Sequence, residues 1–363
     1  MMRSKVVVIG AGVMGSATAQ WLAANGTTVV LIDQYERGHA RGGSHGDSRI
    51  FRLAYPESDY VQLAQRSLTL WRELETNCGR ELLIRTGGVD HGRGAVASIG
   101  SALGRCGVGF EVVPAPTAMG RWPGMRFEGE VVLQADAGRL HADEAVDAFQ
   151  ALAESDGATL LFGCRAAIAR VDDWRVVITT ERGDFEADAV VLAAGPWAPL
   201  VTPGDLELPP LRVTHEQPAY FPVRQTGIAW PVFVHYDANP YSSFAGYGLE
   251  VPGRGVKVGL HASGLVIDPG SVDRPSSREV RERLGEYVSS WLPGLAARPT
   301  ETVSCVYDST PDEDFVIDRR GRIVVATGFS GHGFKFAPAI GRLVGQIATG
   351  EALAPPRFRF RTG

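Results

Sequence analysis

Residues 5–33 read KVVVIGAGVMGSATAQWLAANGTTVVLID, and this stretch decides the fold. The continuous apolar run Val6 to Ile9 has the pattern of a parallel strand buried on both faces. It breaks into Gly10-Ala11-Gly12-Val13-Met14-Gly15, passes into a helical pattern, and returns as a second apolar run, Thr28 to Ile32, that ends on Asp33. That is one βαβ unit carrying the dinucleotide fingerprint in its expected setting. Gly10 permits the tight turn, Gly12 lets the backbone approach a pyrophosphate, and Gly15 lets helix and strand pack closely. Val13 and Met14 open the helix, whose free N–H groups and positive dipole end suit phosphate. Asp33, with Gln34 after it, is placed to accept from ribose hydroxyls. The fingerprint alone leaves NAD and FAD both open.

The chain has 363 residues, enough for two domains or one large domain with an insertion. A net charge of −5 offers no broad attraction for nucleic acid or an anionic membrane, so neither is expected as a partner. No apolar run approaches the ~18 residues of a membrane helix. The four-residue apolar run before Gly10 is too short for a signal peptide, and its removal would destroy the βαβ unit. Cys78, Cys106, Cys164 and Cys305 show no metal-ligand spacing, and a reducing, cytoplasmic setting is expected. Of 36 basic residues only Lys5, Lys257 and Lys335 are lysines. Such rare lysines fall either by chance or where a compact ammonium serves and a guanidinium does not, and for Lys257 and Lys335 both readings stay open. Lys5, ahead of the first strand, has no such role.

Residues 34–49 form a glycine-rich polar loop without hydrophobic period, long enough to be functional. An amphipathic helix is expected over 60–75, strands at 82–84, 88–90 and 110–113, and helices over 96–105 and 142–155. Asp143 is read as capping the last of these. Strands follow at 158–162, 166–172 and 175–180. The apolar strand Asp188 to Ala194 then runs into Gly195-Pro196-Trp197. Proline-rich 205–211 leads into a strand- and turn-rich segment with a helix over 277–292. The strand Gly321 to Ala326 ends in a second glycine-rich turn, 328–335, and a helix over 337–348. Turns of cofactor type at 10–15, 38–49, 195–197 and 328–335 suit a ligand running across a sheet, and FAD is the natural candidate. The fold class expected is α/β, a Rossmann-like FAD-binding domain (1–80, 140–210, 305–363) with a discontinuous substrate domain (81–139, 211–304) on a mixed or antiparallel sheet.

Several motifs also carry a family resemblance: GSHGDSRIFR (43–52), VVLAAGPW (190–197), KVGLH (257–261), SCVYDSTPDEDFVID (304–318) and GFSGHGFKFAP (328–338). In this order they resemble the monomeric sarcosine oxidase and N-methyltryptophan oxidase family, and they span nearly the whole chain. The resemblance implies a monomeric FAD-dependent oxidase of secondary amines. It would turn a C–N bond into an imine that hydrolyses, with O2 reduced to H2O2. It implies a flavin linked through a thioether to Cys305, a residue that by itself reads as an inert buried thiol. Gly43, Ser44, Ala194, Gly195, Trp197, Gly331, Gly333 and Phe334 join the fingerprint as cofactor contacts. Arg49 is placed near the flavin ring, and Arg52 with Lys335 on the substrate carboxylate. Lys257 is implied over the flavin face opposite the substrate. His261, four residues on and read as part of the same strand, lies near the amine. Tyr247 and Tyr307 are implied as pocket walls.

The sequence departs from the familiar pattern at 236–243, read as a longer hairpin tip. Another amine therefore stays open as substrate: a cyclic imino acid, a D-amino acid or a sugar-amine adduct. A nicotinamide-dependent dehydrogenase is the more distant alternative.

Overall fold

The strand Met2–Ile9 lies in the middle of an eight-stranded sheet in the computed structural model, which describes residues 2–92, 94–204, 206–224, 227, 229–236, 246–271, 274 and 276–360. It pairs in parallel with Val29–Ile32 on one side and Phe185–Leu192 on the other. Thr159–Leu161 extends the sheet beyond Val29–Ile32. Side chains alternate along a strand, so an unbroken apolar run must feed two cores. Val6 and Val8 join the cluster that includes Val13, Ala17 and Ile340, while Val7 and Ile9 join Ile178, Phe185 and Val325.

Phe185–Leu192 shares its outer edge between two partners. Its first half pairs antiparallel with Val176–Thr180, and residues 190–192 pair in parallel with Ile323–Thr327. The strand so begins three residues before the expected Asp188. The C-terminal strand thereby lies one strand away from the first and parallel to it, and its glycine-rich turn opens at the same sheet end as Gly10.

The helices Val13–Ala24 and Ala337–Thr349 cross at glycines. A Cβ built on Gly341 would lie 2.6 Å from the carbonyl carbon of Ala17. The first helix is buried from Val13 through Ala19, and the two hydroxyls in that stretch donate to main-chain carbonyls, Ser16 to Ala11 and Thr18 to Met14.

A second eight-stranded sheet runs in the order Glu301–Thr302, Ala219–Phe221, Gly255–Gly259, Gly246–Val251, Val232–Tyr236, Gly88–Gly92, Glu130–Gln134, Glu111–Pro114. It is antiparallel except where Val232–Tyr236 lies parallel to Gly88–Gly92. The mixed α/β fold expected from the sequence is therefore what the chain adopts. Two further three-stranded sheets contain Ser48–Phe51 and Cys305–Ser309.

Local expectations differ from the structure at several places. His261 is not in the strand of Lys257: that strand stops at Gly259, and a turn carries His261 back toward residue 313. Asp143 does not cap its own helix, which starts after His141 without a side-chain cap. Its carboxylate instead accepts the Gly46 N–H at 2.8 Å and ties the helix to the glycine-rich loop. The helix Ala115–Arg121 is not among the expected elements; it is short and opens with Pro116 in its first turn. In the expected hairpin tip, Tyr236 ends its strand and 237–243 lie outside the described residues.

Gly341→Leu must push a side chain into the backbone of the first helix. It is expected to cost about 1–3 kcal/mol of stability, read as a lowered Tm in thermal unfolding. An unchanged Tm contradicts the close helix crossing.

Candidate active site

A single cavity of about 1030 Å³ runs from the Gly10 turn to Lys335. This is at the top of the roughly 300–1,000 Å³ usual for small-molecule pockets. Its wall brings together every candidate residue of the sequence except Gly15: Gly10, Gly12, Val13, Met14, Asp33, Gln34, Gly43, Ser44, Ala194, Gly195 and Trp197, and with them Arg49, Arg52, Tyr247, Lys257, His261, Cys305, Tyr307, Gly331, Gly333, Phe334 and Lys335. Gly15 stands behind the wall, where a Cβ would collide with the carbonyl oxygen of Gly10. Gly10 itself has φ +105°, which side chains rarely tolerate.

The nucleotide-type end is pinned by its acid. Asp33 accepts from the Ala11 N–H at 2.8 Å and from the Tyr35 N–H at 2.9 Å, so the carboxylate closes the turn as well as lining the cavity. Ser44, from the glycine-rich loop, accepts the first helical N–H, that of Val13, at 3.0 Å. The loop therefore lies across the helix start. Gly43 is pressed so close to residue 306 that a Cβ would sit 2.7 Å from the Val306 carbonyl oxygen.

The other end gathers cations. Lys257, buried, donates to the Ser48 carbonyl at 2.7 Å, and Asp47 lies 3.8 Å away. Burial first, then the Arg49 charge, pulls its pKa down to about 7. Arg49 donates to the carbonyls of Ser48, Gly43 and His45 at 2.7–2.8 Å and lies over the Phe334 ring. Asp47 also accepts from the Tyr220 hydroxyl at 2.5 Å and from Arg254. These bonds, with burial opposing them, leave its pKa below the ordinary carboxylate value. Lys335 donates to the His332 carbonyl at 2.6 Å and the Tyr55 hydroxyl at 2.8 Å. Burial and the Arg52 charge hold its pKa well below that of ordinary lysine. Arg52 donates to Tyr236 at 2.9 Å, to Asp90 at 3.3 Å and to the Ala54 carbonyl, with the Tyr55 ring 4.1 Å away.

Between these cations stand the aromatic groups. The hydroxyls of Tyr247 and Tyr307 are 3.1 Å apart, and burial raises both pKa values. Glycine at 259 and 331 makes room for the Tyr247 and Tyr307 rings respectively, since a Cβ at either would overlap the ring. His261 lies 3.2 Å from Glu313 and beside Tyr307. Among the described residues the non-glycines with positive φ are Ala262, Glu313 and Ser330, and all three flank this end. Strain of that kind, of order 1–3 kcal/mol each, gathers where a site is over-determined by its surroundings.

Sequence reasoning missed Asp90, Tyr55, Tyr236, Glu313, His332 and His45. Asp90 and Tyr236 come from strands of the second sheet, and nothing local marks them. His332 and His45 sit inside motifs that were singled out, so their position was available. His332, with burial and the Lys335 charge driving its pKa to about 3, lies 3.4 Å from the Tyr55 hydroxyl. His45 is kept neutral by burial and Arg49, with a pKa of about 4, and its Nε2 is buried without a partner.

That orphaned nitrogen on the cavity wall fits a polar ligand running through the middle of the cavity. The glycine-lined start and the helix N-terminus fit a pyrophosphate. Together they suit FAD better than a ligand confined to the first turn. The sequence profile of the FAD dependent oxidoreductase (DAO) family matches residues 5–347. The chain belongs to that family. Membership decides for FAD over the nicotinamide alternative. The oxidoreductase is 31% identical to the monomeric sarcosine oxidase of Bacillus sp. (strain NS-129), covering 95% of this chain and 92% of that protein. It is 29% identical to the N-methyl-L-tryptophan oxidase of Citrobacter koseri, covering 97% and 96%. Among solved structures, the open form of NikD, an unusual amino acid oxidase essential for nikkomycin biosynthesis, superposes with a TM-score of 0.83. The two are 26% identical, covering 98% of this chain and 96% of NikD.

With only three lysines, ε-carbon-labelled lysine gives a spectrum simple enough to assign by single substitution. In the flavin-free oxidoreductase the Lys257 signal is expected to titrate near 7, and the Lys335 signal below the ordinary lysine value. A Lys257 midpoint near 10.5 contradicts the burial described here.

Proposed function

We propose that the chain is an FAD-dependent oxidase of secondary amino acids, of the N-methyl kind that includes sarcosine. The observation that carries this reading is the convergence of Arg52 and Lys335, both buried, on the end of the cavity that also holds His261, Tyr247 and Tyr307. Two fixed cations beside an aromatic wall suit one carboxylate and an adjoining small apolar group.

Residues 10–15 and Asp33 hold the adenosine end of FAD, with the loop 43–49 and the turn 328–335 along its length. The flavin, when bound, supplies the two-electron acceptor that these side chains lack. Arg52 and Lys335 bind and orient the carboxylate. His261, steadied by Glu313, takes the amine side, and the Tyr247–Tyr307 pair excludes water from it. Cys305, an unpaired cysteine on the cavity wall, carries the covalent thioether to the flavin. Lys257 offers a positive charge to the negative charge that develops on dioxygen as it is reduced to H2O2. The product imine hydrolyses in water. Residues 1–80, 140–210 and 305–363 serve the cofactor, and 81–139 with 211–304 serve the substrate. The proposed setting is a cytoplasmic monomer that acts on small molecules. No helix among the described residues is long and apolar enough to cross a membrane.

A peroxide-release panel tests the substrate class. Sarcosine and N-methyl amino acids are expected to turn over faster than cyclic imino acids, D-amino acids or sugar-amine adducts, and the reverse order overturns the assignment. Arg52→Met is expected to lower kcat/KM by roughly 30-fold or more, the cost of removing one partner of a buried charged contact. Lys257→Met is expected to leave anaerobic substrate oxidation fast and to slow the oxygen step. Equal reoxidation rates would remove Lys257 from that role. After acid precipitation the wild-type pellet stays yellow and the Cys305→Ser pellet is colourless; a colourless wild-type pellet excludes the thioether.

A further inference from the structure

Arg52 does not wait for a substrate with its charge unanswered. Asp90, on the strand Gly88–Gly92, lies behind it with its Oδ1 3.3 Å from Nη1, and both side chains are at most 5% exposed. The other oxygen of Asp90 accepts from the Gln134 amide at 2.8 Å, and Gln134 in turn accepts the Leu53 N–H at 2.9 Å. Two strands of the second sheet thus grip the segment that carries Arg52 from both the side chain and the backbone. The contacts of the guanidinium to Asp90, Tyr236 and Ala54 all use Nη1, so Nε and Nη2 are not engaged by them.

We propose that Asp90 is the positioning residue and internal counter-ion of the carboxylate clamp, and that binding of a substrate carboxylate draws a proton onto Asp90. This rests on the carboxylate reading of Arg52 given above. The reason is electrostatic. An incoming carboxylate on Arg52 brings a second negative charge to a guanidinium already paired, in a pocket too buried for water to screen the two anions. Asp90 can relieve the repulsion by taking a proton from solvent, with Gln134 still holding it. It is poised to do so: burial outweighs Arg52, Gln134 and Tyr236 and brings its pKa up to about 6.

The groups around the pair are few. Tyr236 and Tyr55 have pKa values raised by burial and stay protonated through the neutral range. Glu57, raised by burial, acts on Arg52, and Glu313 acts on Tyr55. Lys335 is a second cation coupled to Asp90 by charge. Its own loss of a proton also weakens carboxylate binding as pH rises, so the test must separate the two.

The probe is methoxyacetate, which has the shape of sarcosine with an ether oxygen for the amine, does not titrate between pH 5 and 8, and offers the flavin-loaded protein no C–N bond to oxidise. Isothermal titration calorimetry gives the affinity and, from two buffers of different ionisation heat, the protons taken up. For wild type, binding is expected to be about tenfold tighter at pH 5 than at pH 8, with net proton uptake near pH 7. In Asp90→Asn, which keeps the shape and the Gln134 contact, both effects should be largely lost, while Lys335→Met should keep them. Unchanged pH dependence and proton uptake in Asp90→Asn overturn the proposal, as does a wild-type affinity that is flat from pH 5 to 8. Arg52→Met separates the two levels. If it does not weaken methoxyacetate binding, the clamp reading falls and Asp90 falls with it. If it does, while Asp90→Asn behaves as wild type, only the role of Asp90 falls.

Discussion

Arg52, Lys257 and Lys335 are each 4–5% exposed, and all three line one cavity. Burying a cation is costly unless its donors are satisfied. The chain meets this need in the same way three times, by turning a main-chain carbonyl onto each: Ala54 for Arg52, Ser48 for Lys257, His332 for Lys335. Two of those carbonyls lie in the segment 43–55 and the third in the turn 328–336, so that segment, the strand Gly255–Gly259 and the turn must all be held in register. Counter-charges are distributed unevenly. Asp90 lies against Arg52 and Asp47 stands 3.8 Å from Lys257, while Lys335 is held by a carbonyl and a phenol. The cavity therefore keeps positive charge at one end, where an anionic substrate is the natural complement.

Much of this architecture follows from patterns that are local. Val6–Ile9 is apolar at every position because the sheet is covered on both faces, and the four glycine turns are needed where backbone meets backbone or ligand. Such constraints leave marks in a single stretch of chain. The family resemblance extended the reading to Arg52, Lys257, His261, Cys305 and Lys335, which lie in motifs. Asp90 left no mark because its significance comes from a partner 38 residues earlier, and Tyr236 from one 184 residues earlier. The period-two argument for His261 failed because it assumed that the strand ran on. The strand ends at Gly259, where glycine leaves space for the Tyr247 ring, and the chain then turns through Ala262 at φ 50°. Asp143 failed for a related reason: an acid at a helix start is equally able to serve a neighbouring loop, and here the Gly46 N–H takes it.

Dinucleotide end and cation end are built differently, and this bears on function. The first is fixed by close backbone packing, Gly15 on Gly10 and Gly43 on Val306, and by Asp33 on the turn N–H groups. The second is fixed by buried charge, by the hydrogen-bonded tyrosine pair and by three strained non-glycine residues. Rigid packing suits the holding of a cofactor. A dense set of shifted titratable groups suits the handling of a substrate that carries charge and must lose protons.

The most direct test is anaerobic mixing of the purified, flavin-loaded protein with sarcosine, followed by the absorption of oxidised flavin. This absorption is expected to bleach in the absence of oxygen, and Arg52→Met to slow the bleaching at limiting substrate. A protein that carries no flavin, or a bound flavin that stays oxidised with sarcosine and with every N-methyl amino acid offered, would contradict it.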